Sequence, residues 1–165
     1  MTYNEKMKRK ILRIVLWLAV ILWMAVIFAF SAQSGSASTG TSDGIVDQVV
    51  EGMFGTADRN IIPDSIRIKV SFYVRKAAHF TAFMLLGILC TASLGVDVKR
   101  SLTRGAVSLG ICVLYAVSDE IHQLFVPGRE GRLLDVGIDS AGALCGILVF
   151  TLAAGMVRKM LNAKR

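Results

Sequence analysis

The chain has 165 residues, 54% of them hydrophobic, and a formal charge of +7, with a mean hydropathy of +0.58. Soluble domains of this length are rarely so apolar, so the composition points to a bilayer rather than to an aqueous enzyme. The positive charge does not indicate nucleic acid, because it is gathered in short runs beside apolar stretches, as in membrane proteins.

In chain order, residues 1–10 form a basic stretch with Lys6, Lys8, Arg9 and Lys10. Residues 11–30 are the first apolar run, close to the roughly 20 residues that cross hydrocarbon. Ala29-Phe30-Ser31-Ala32 after such a run resembles a signal cleavage site. Signal cores, however, run only about 7–15 residues, and Trp17 and Trp23 make this one bulky, so the segment reads as an uncleaved anchor. Ser31, Gln33 and Ser34 close it. Residues 35–44, rich in Ser, Gly and Thr, read as a loop. Ile45, Val46, Val49, Val50, Met53 and Phe54 then recur at helical spacing, opposite Asp47, Gln48 and Glu51. This predicts a short amphipathic helix, either lying on the outer membrane surface or packed on the mouth of the bundle.

A second loop at 55–62 leads to Pro63-Asp64-Ser65, a helix start with Asp64 or Ser65 as N-cap. One helix runs on through Tyr73 and Lys76 into the second span, 77–94. After a turn at 95–99 the third span, 102–125, carries Asp119, Glu120 and His122 in its last two turns. Pro127-Gly128-Arg129-Glu130-Gly131 is a turn, with Glu130 a loop charge. The fourth span is 136–157, with Asp135 just before it and Asp139 in its first turns. Gly142 and Gly146 make a small-xxx-small pair that lets another helix come close. Cys90, Cys112 and Cys145 fall within spans and read as packing residues, not as a disulfide framework.

Lys99, Arg100 and Arg104 between spans two and three, and the basic tail at 158–165, share a side with the N-terminus. By the positive-inside rule that side is cytoplasmic. The expected fold is all-α: a four-transmembrane-helix bundle with both termini cytoplasmic and a short outer amphipathic helix in an outer loop at 31–76.

Helix direction alone then gathers the polar signals at the outer end. Ser31 closes span one, Lys76 and His79 open span two, Asp119, His122 and Gln123 close span three, and Arg129, Arg132, Asp135 and Asp139 surround the last turn. Arg75 and His79, Lys76 and His79, Asp119 and His122, Asp119 and Gln123, and Asp135 and Asp139 each share a helical face. Ionisable groups at membrane depth mark a functional site by default, and an isolated carboxylate there costs about 2.5–3.5 kcal/mol. Asp119, about two turns below the expected helix end, therefore needs a partner, with Lys76, Arg129 and Arg132 as candidates. Glu120, on another face, reads as a solvated or headgroup-facing charge.

Three chemistries fit. Arg129, Arg132 and Lys76, with Gln123 and Ser31, suit binding of an anionic headgroup. His122 and His79, oriented by Asp119 and Asp135, suit proton transfer or nucleophilic attack on a phosphate. A metal site on two histidines and an aspartate has the right ligand count, but the surrounding basic residues speak against a cation, so neither metal nor cofactor is expected.

The pieces Phe30-Ser31-x-Gln33-Ser34, Arg75-Lys76-x-x-His79-Phe80, Ser118-Asp119-Glu120-x-His122-Gln123-x-Phe125-Val126-Pro127-Gly128-Arg129 and Arg132-x-x-Asp135-Val136, with the glycines of the fourth span, resemble the VanZ-like family of small bacterial integral membrane proteins. The resemblance runs from Phe28 to Gly146. Phe83 stands where that family often has Tyr, which removes a hydroxyl. The resemblance implies a multi-pass protein of the bacterial cytoplasmic membrane, in a family whose founder is associated with teicoplanin resistance. The function expected is binding of a lipid-linked phosphate at an outward-facing charged pocket, with its chemical modification left open. The alternative is a non-catalytic lipid-binding, scaffolding or transport component. Partners would be membrane lipids, a polyprenyl-linked cell-wall precursor or a second copy of the chain, with no nucleic acid.

Overall fold

The computed structural model describes residues 2–33, 35–58, 61–129 and 131–163, with backbone only for 35–42. Ser34, Glu130, Lys164 and Arg165, all read from the sequence above, lie outside the described residues. Among the described residues five helices follow one another: α1 (Tyr3–Ser31), α2 (Gly35–Phe54), α3 (Asp64–Gly95), α4 (Ser101–Gln123) and α5 (Leu133–Ala163). Among the described residues there is no strand. Helices α1, α3, α4 and α5 are long and apolar enough to cross a membrane.

The expected all-α, four-span architecture is present, with boundaries that shift for identifiable reasons. The basic start is helical because Thr2 and Glu5 form a capping box, each side chain bonding the other's backbone N–H. The stretch expected as a loop at 35–44 belongs to α2, which begins at Gly35. Pro63, not Asp64 or Ser65, is the N-cap of α3, where its missing N–H is harmless. Helix α4 closes at Gln123, so Asp119 lies about one turn, ~6 Å, below the end. Asp135 is inside the first turn of α5 rather than before it.

Helix α3 is central, and its contact with α5 is the most extensive in the fold. The reason is glycine. A Cβ at Gly142 would strike the Phe80 carbonyl, one at Gly146 the Met84 carbonyl, and one at Gly87 the Ala143 carbonyl. The small-xxx-small pair is thus filled within the chain by the α3 backbone, which pins the rotation and depth of both helices. Val20 and Ile27 of α1, Phe83, Leu86 and Cys90 of α3, Cys112 and Ala116 of α4, and Ala143 of α5 form the core. Its cysteines are free. Leu18, Leu22, Leu114, Leu148 and Leu152 are exposed, as an apolar belt facing lipid requires. Trp23 donates to the Ala82 carbonyl at 2.9 Å, and Tyr115 donates to the Met24 carbonyl at 2.5 Å; these tie α1 to α3 and α4.

Helix α2 packs against the first half of α3. Val46, Val50 and Ile62 are buried together, with Ile66, Val70 and Val74 against them. Arg67 pairs with Asp47 and bonds the Ala57 carbonyl at 3.3 Å. The amphipathic segment packs its Val46 and Val50 side on α3, while Ile45, Met53 and Phe54 stay exposed. At the opposite end Arg9 and Arg13 pair with Asp97, and Arg9 also bonds the Val96 carbonyl, closing the turn between α3 and α4.

Candidate functional site

Four chain segments bring the polar residues to one end of the bundle, about a turn below the ends of α1 and α4. Asp119 is 2% exposed and faces α1. Its Oδ2 accepts from the Ser31 hydroxyl at 2.8 Å and from Gln123 Nε2 at 3.0 Å. The partners of this carboxylate are therefore neutral donors, not the lysine or arginines expected. Lys76 pairs instead with Asp135, Nζ to Oδ1 at 2.5 Å, across α3 and α5. His79, one turn along α3, sets Nδ1 3.5 Å from Asp139 Oδ1. The Lys76–Asp135 and His79–Asp139 pairs repeat at helical spacing because α3 and α5 run side by side in the register fixed by their glycines.

Arg129 is reached by folding the chain back after α4. Gly128 takes φ +74°, which only glycine adopts without strain. The guanidinium then lies over the end of α1. Its Nε donates to the Gln33 carbonyl at 3.2 Å, Nη2 to the Phe30 carbonyl at 3.4 Å, and Nη1 to Gln123 Oε1 at 3.4 Å. The open carbonyls of a helix C-terminus are natural partners for a cation. Burial disfavours the charged form of Arg129, and the Arg75 charge pushes the same way. An anion between them would relieve both.

Two cavities meet here. One, about 290 Å³, is walled mainly by apolar side chains of α1 and α3, among them Trp23, Val26, Ile27, Phe30, Val74 and Ala82. The other, about 510 Å³, is lined by Arg75, Lys76, Arg129 and Arg132 with Asp135, together with Phe72, His79, Gln123 and Gly128. Arg75, His79 and Arg129 line both. An apolar slot thus adjoins a basic chamber through a shared wall of two guanidinium groups and an imidazole.

The sequence matches the VanZ/LLP1 family over residues 16–154. The chain belongs to that family. Neither the curated proteins nor the solved structures contain a significant match. In this VanZ/LLP1 member, the sequence-expected residues Lys76, His79, Gln123, Arg129, Arg132 and Asp135 line the basic chamber, and Ser31 lines the apolar slot.

His122 is not with them. Its ring stacks on Phe28 of α1, centroids 4.3 Å apart, and lines neither cavity. Sharing a face with Asp119 does not aim it the same way, because three residues along a helix turn about 60° away from alignment. Glu120, expected to be solvated, is 6% exposed. The returning turn covers it, and Oε2 accepts the Arg132 backbone N–H at 2.8 Å. Gly131 permits this, since a Cβ there would lie 2.9 Å from the Glu120 carbonyl oxygen. Arg75 was not among the expected binding residues, although its i,i+4 spacing to His79 was the available signal.

Proposed function

We propose that the chain is a bacterial plasma-membrane protein whose site end faces outward and holds the phosphate of a lipid-linked molecule. The observation that carries this reading is the pair of cavities sharing Arg75, His79 and Arg129. A lipid-linked phosphate has the same two halves, an apolar chain for the slot and an anionic head for the basic chamber. Guanidinium forks suit phosphate oxygens, and a partly desolvated site strengthens each such bond. The reading fits a family whose founder is associated with teicoplanin resistance, since teicoplanin carries a lipid tail and acts on a lipid-linked cell-wall precursor.

Chemical modification of that phosphate would fall to His79, the imidazole on both cavity walls, rather than to His122. Transport has less support. Thr91 and Ser93 donate to the Gly87 and Leu89 carbonyls of their own helix, which commits these hydroxyl protons within α3.

Purified protein in vesicles, offered a radiolabelled polyprenyl phosphate, tests the reading. Arg129→Ala removes a charge-assisted contact of about 1.5–3 kcal/mol, so binding should weaken by at least tenfold. Unchanged binding in that variant and in Arg75→Ala would refute the phosphate site. Turnover that disappears in His79→Gln marks an enzyme, whereas binding without product marks the non-catalytic class.

A further inference from the structure

Behind His79 lie two carboxylates that phosphate binding does not use. Asp139 is 0% exposed and Asp119 2%. Asp119 commits Oδ2 to Ser31 and Gln123, while its Oδ1 is buried with no hydrogen-bond partner. The oxygens of Asp139 have no hydrogen-bond partner closer than His79 Nδ1, which lies 3.5 Å from Oδ1. Among the described residues, one ligand atom from each of His79, Asp119 and Asp139 lies within 4.8 Å of the others. Native proteins leave few buried polar atoms unfilled, and each one asks for a physical cause. Two carboxylates with open lone pairs, beside one imidazole, lack a positive centre between them. A single imidazole proton, directed at Asp139, leaves Asp119 Oδ1 unfilled.

We propose that His79, Asp119 and Asp139 bind one divalent first-row cation of the zinc or manganese kind. The mixture of one imidazole with two carboxylates favours these ions over calcium or magnesium, which take oxygen ligands. Metal–ligand bonds of about 2.0–2.2 Å draw the three atoms closer than 4.8 Å; shifts of about 1 Å or less in each side chain achieve this. The outer support is already built. Ser31 and Gln123 hold Asp119 by Oδ2, which leaves Oδ1 for the ion, the usual duty of groups behind a metal ligand.

Part of the nearby basic charge is directed elsewhere. Lys76 pairs with Asp135, and Arg129 is drawn to the Phe30 and Gln33 carbonyls and to Gln123. The ion would lie behind the wall formed by His79, with positions left for water or for an oxygen of a ligand in the basic chamber. The site stands apart from the phosphate reading, because cation uptake is measured with no lipid present.

The test uses the full chain in detergent, purified without a histidine tag and stripped with a chelator. Zinc or manganese is added alone, and bound metal is measured after desalting, with Co²⁺ as a spectroscopic probe of the ligand set. Wild type should retain one ion per chain and melt at a higher temperature with it. Asp139→Asn and His79→Gln should lose the ion and the shift. Ser31→Ala, which disturbs only the support of Asp119, should weaken affinity by about 10–100-fold, with Ser31→Thr restoring it. Circular dichroism checks that each variant is folded; if Asp139→Asn is not, His79→Gln, at a half-buried position, decides the matter. Wild type that holds no stoichiometric ion overturns the proposal. So does equal binding by His79→Gln, or Asp139→Asn melting higher than wild type in metal, as relief of carboxylate repulsion alone would produce.

Discussion

Asp119 shows how one oxygen of a buried carboxylate is held by neutral donors rather than by a lysine or arginine. Two neutral donors hold one of its oxygens, and both come from residues within a turn of a helix end. Removing a donor from a buried carboxylate costs roughly 1–3 kcal/mol. In chelator-stripped protein, Gln123→Leu should therefore lower the melting temperature, and a melt no lower than wild type would show that the bond contributes nothing. His122 is a different case. Its contact is a stack on Phe28, of the sort that contributes about 0.5–1.5 kcal/mol. His122→Ala should cost about that much stability and leave lipid-phosphate binding unchanged. Loss of binding in a folded His122→Ala protein would return this histidine to the site.

At the scale of elements, the α3–α5 crossing fixes which residues can meet. Lys76 finds Asp135 and His79 finds Asp139 because the two backbones touch at Gly142 and Gly146. A side chain at Gly146 meets backbone, which cannot swing away as a flexible side chain does. Overpacking of this kind costs about 1–3 kcal/mol or more. Gly146→Val should thus lower thermal stability in detergent and weaken lipid-phosphate binding together, although Gly146 lines neither the apolar slot nor the basic chamber. Gly110, where an added Cβ would meet nothing within 4 Å, is the matched control, and Gly110→Ala should leave both properties near wild type. Helix α2 is held by the Val46–Val50–Ile62 cluster and by the Arg67–Asp47 pair. It supplies Ile45 to the apolar slot, so its packing shapes the site as well as covering α3.

For the whole molecule, orientation is the property that the proposed function needs. The runs at Lys6–Lys10, Lys99–Arg104 and Arg158–Lys159 lie toward one end of the bundle, and Arg129 and Arg132 toward the other; the proposed function takes the first end as cytoplasmic, as the positive-inside rule favours. A membrane-impermeant thiol reagent applied to intact cells should label a cysteine at Pro127, exposed in the same turn as Arg129, and not one at Lys99. The reverse pattern would put the basic chamber on the cytosolic side and remove any role at the outer leaflet.

The four long apolar helices and the gathering of charge at one end were legible in the sequence. They depend on the length of apolar runs and on helix direction, which are local properties repeated along the chain. The glycine pair was legible too, as a place of close approach, but not the partner that fills it. Partner choice belonged to the tertiary structure. Asp119 turned to Ser31 and Gln123, Lys76 to Asp135, and the turn after α4 buried Glu120. His79 reached the cavities while His122 went to Phe28. Spacing along one helix sets only relative angles. The rotation of that helix against its neighbours is set by backbone contacts between residues such as Phe80 and Gly142, far apart in the chain, and that rotation selects which polar groups come within bonding distance.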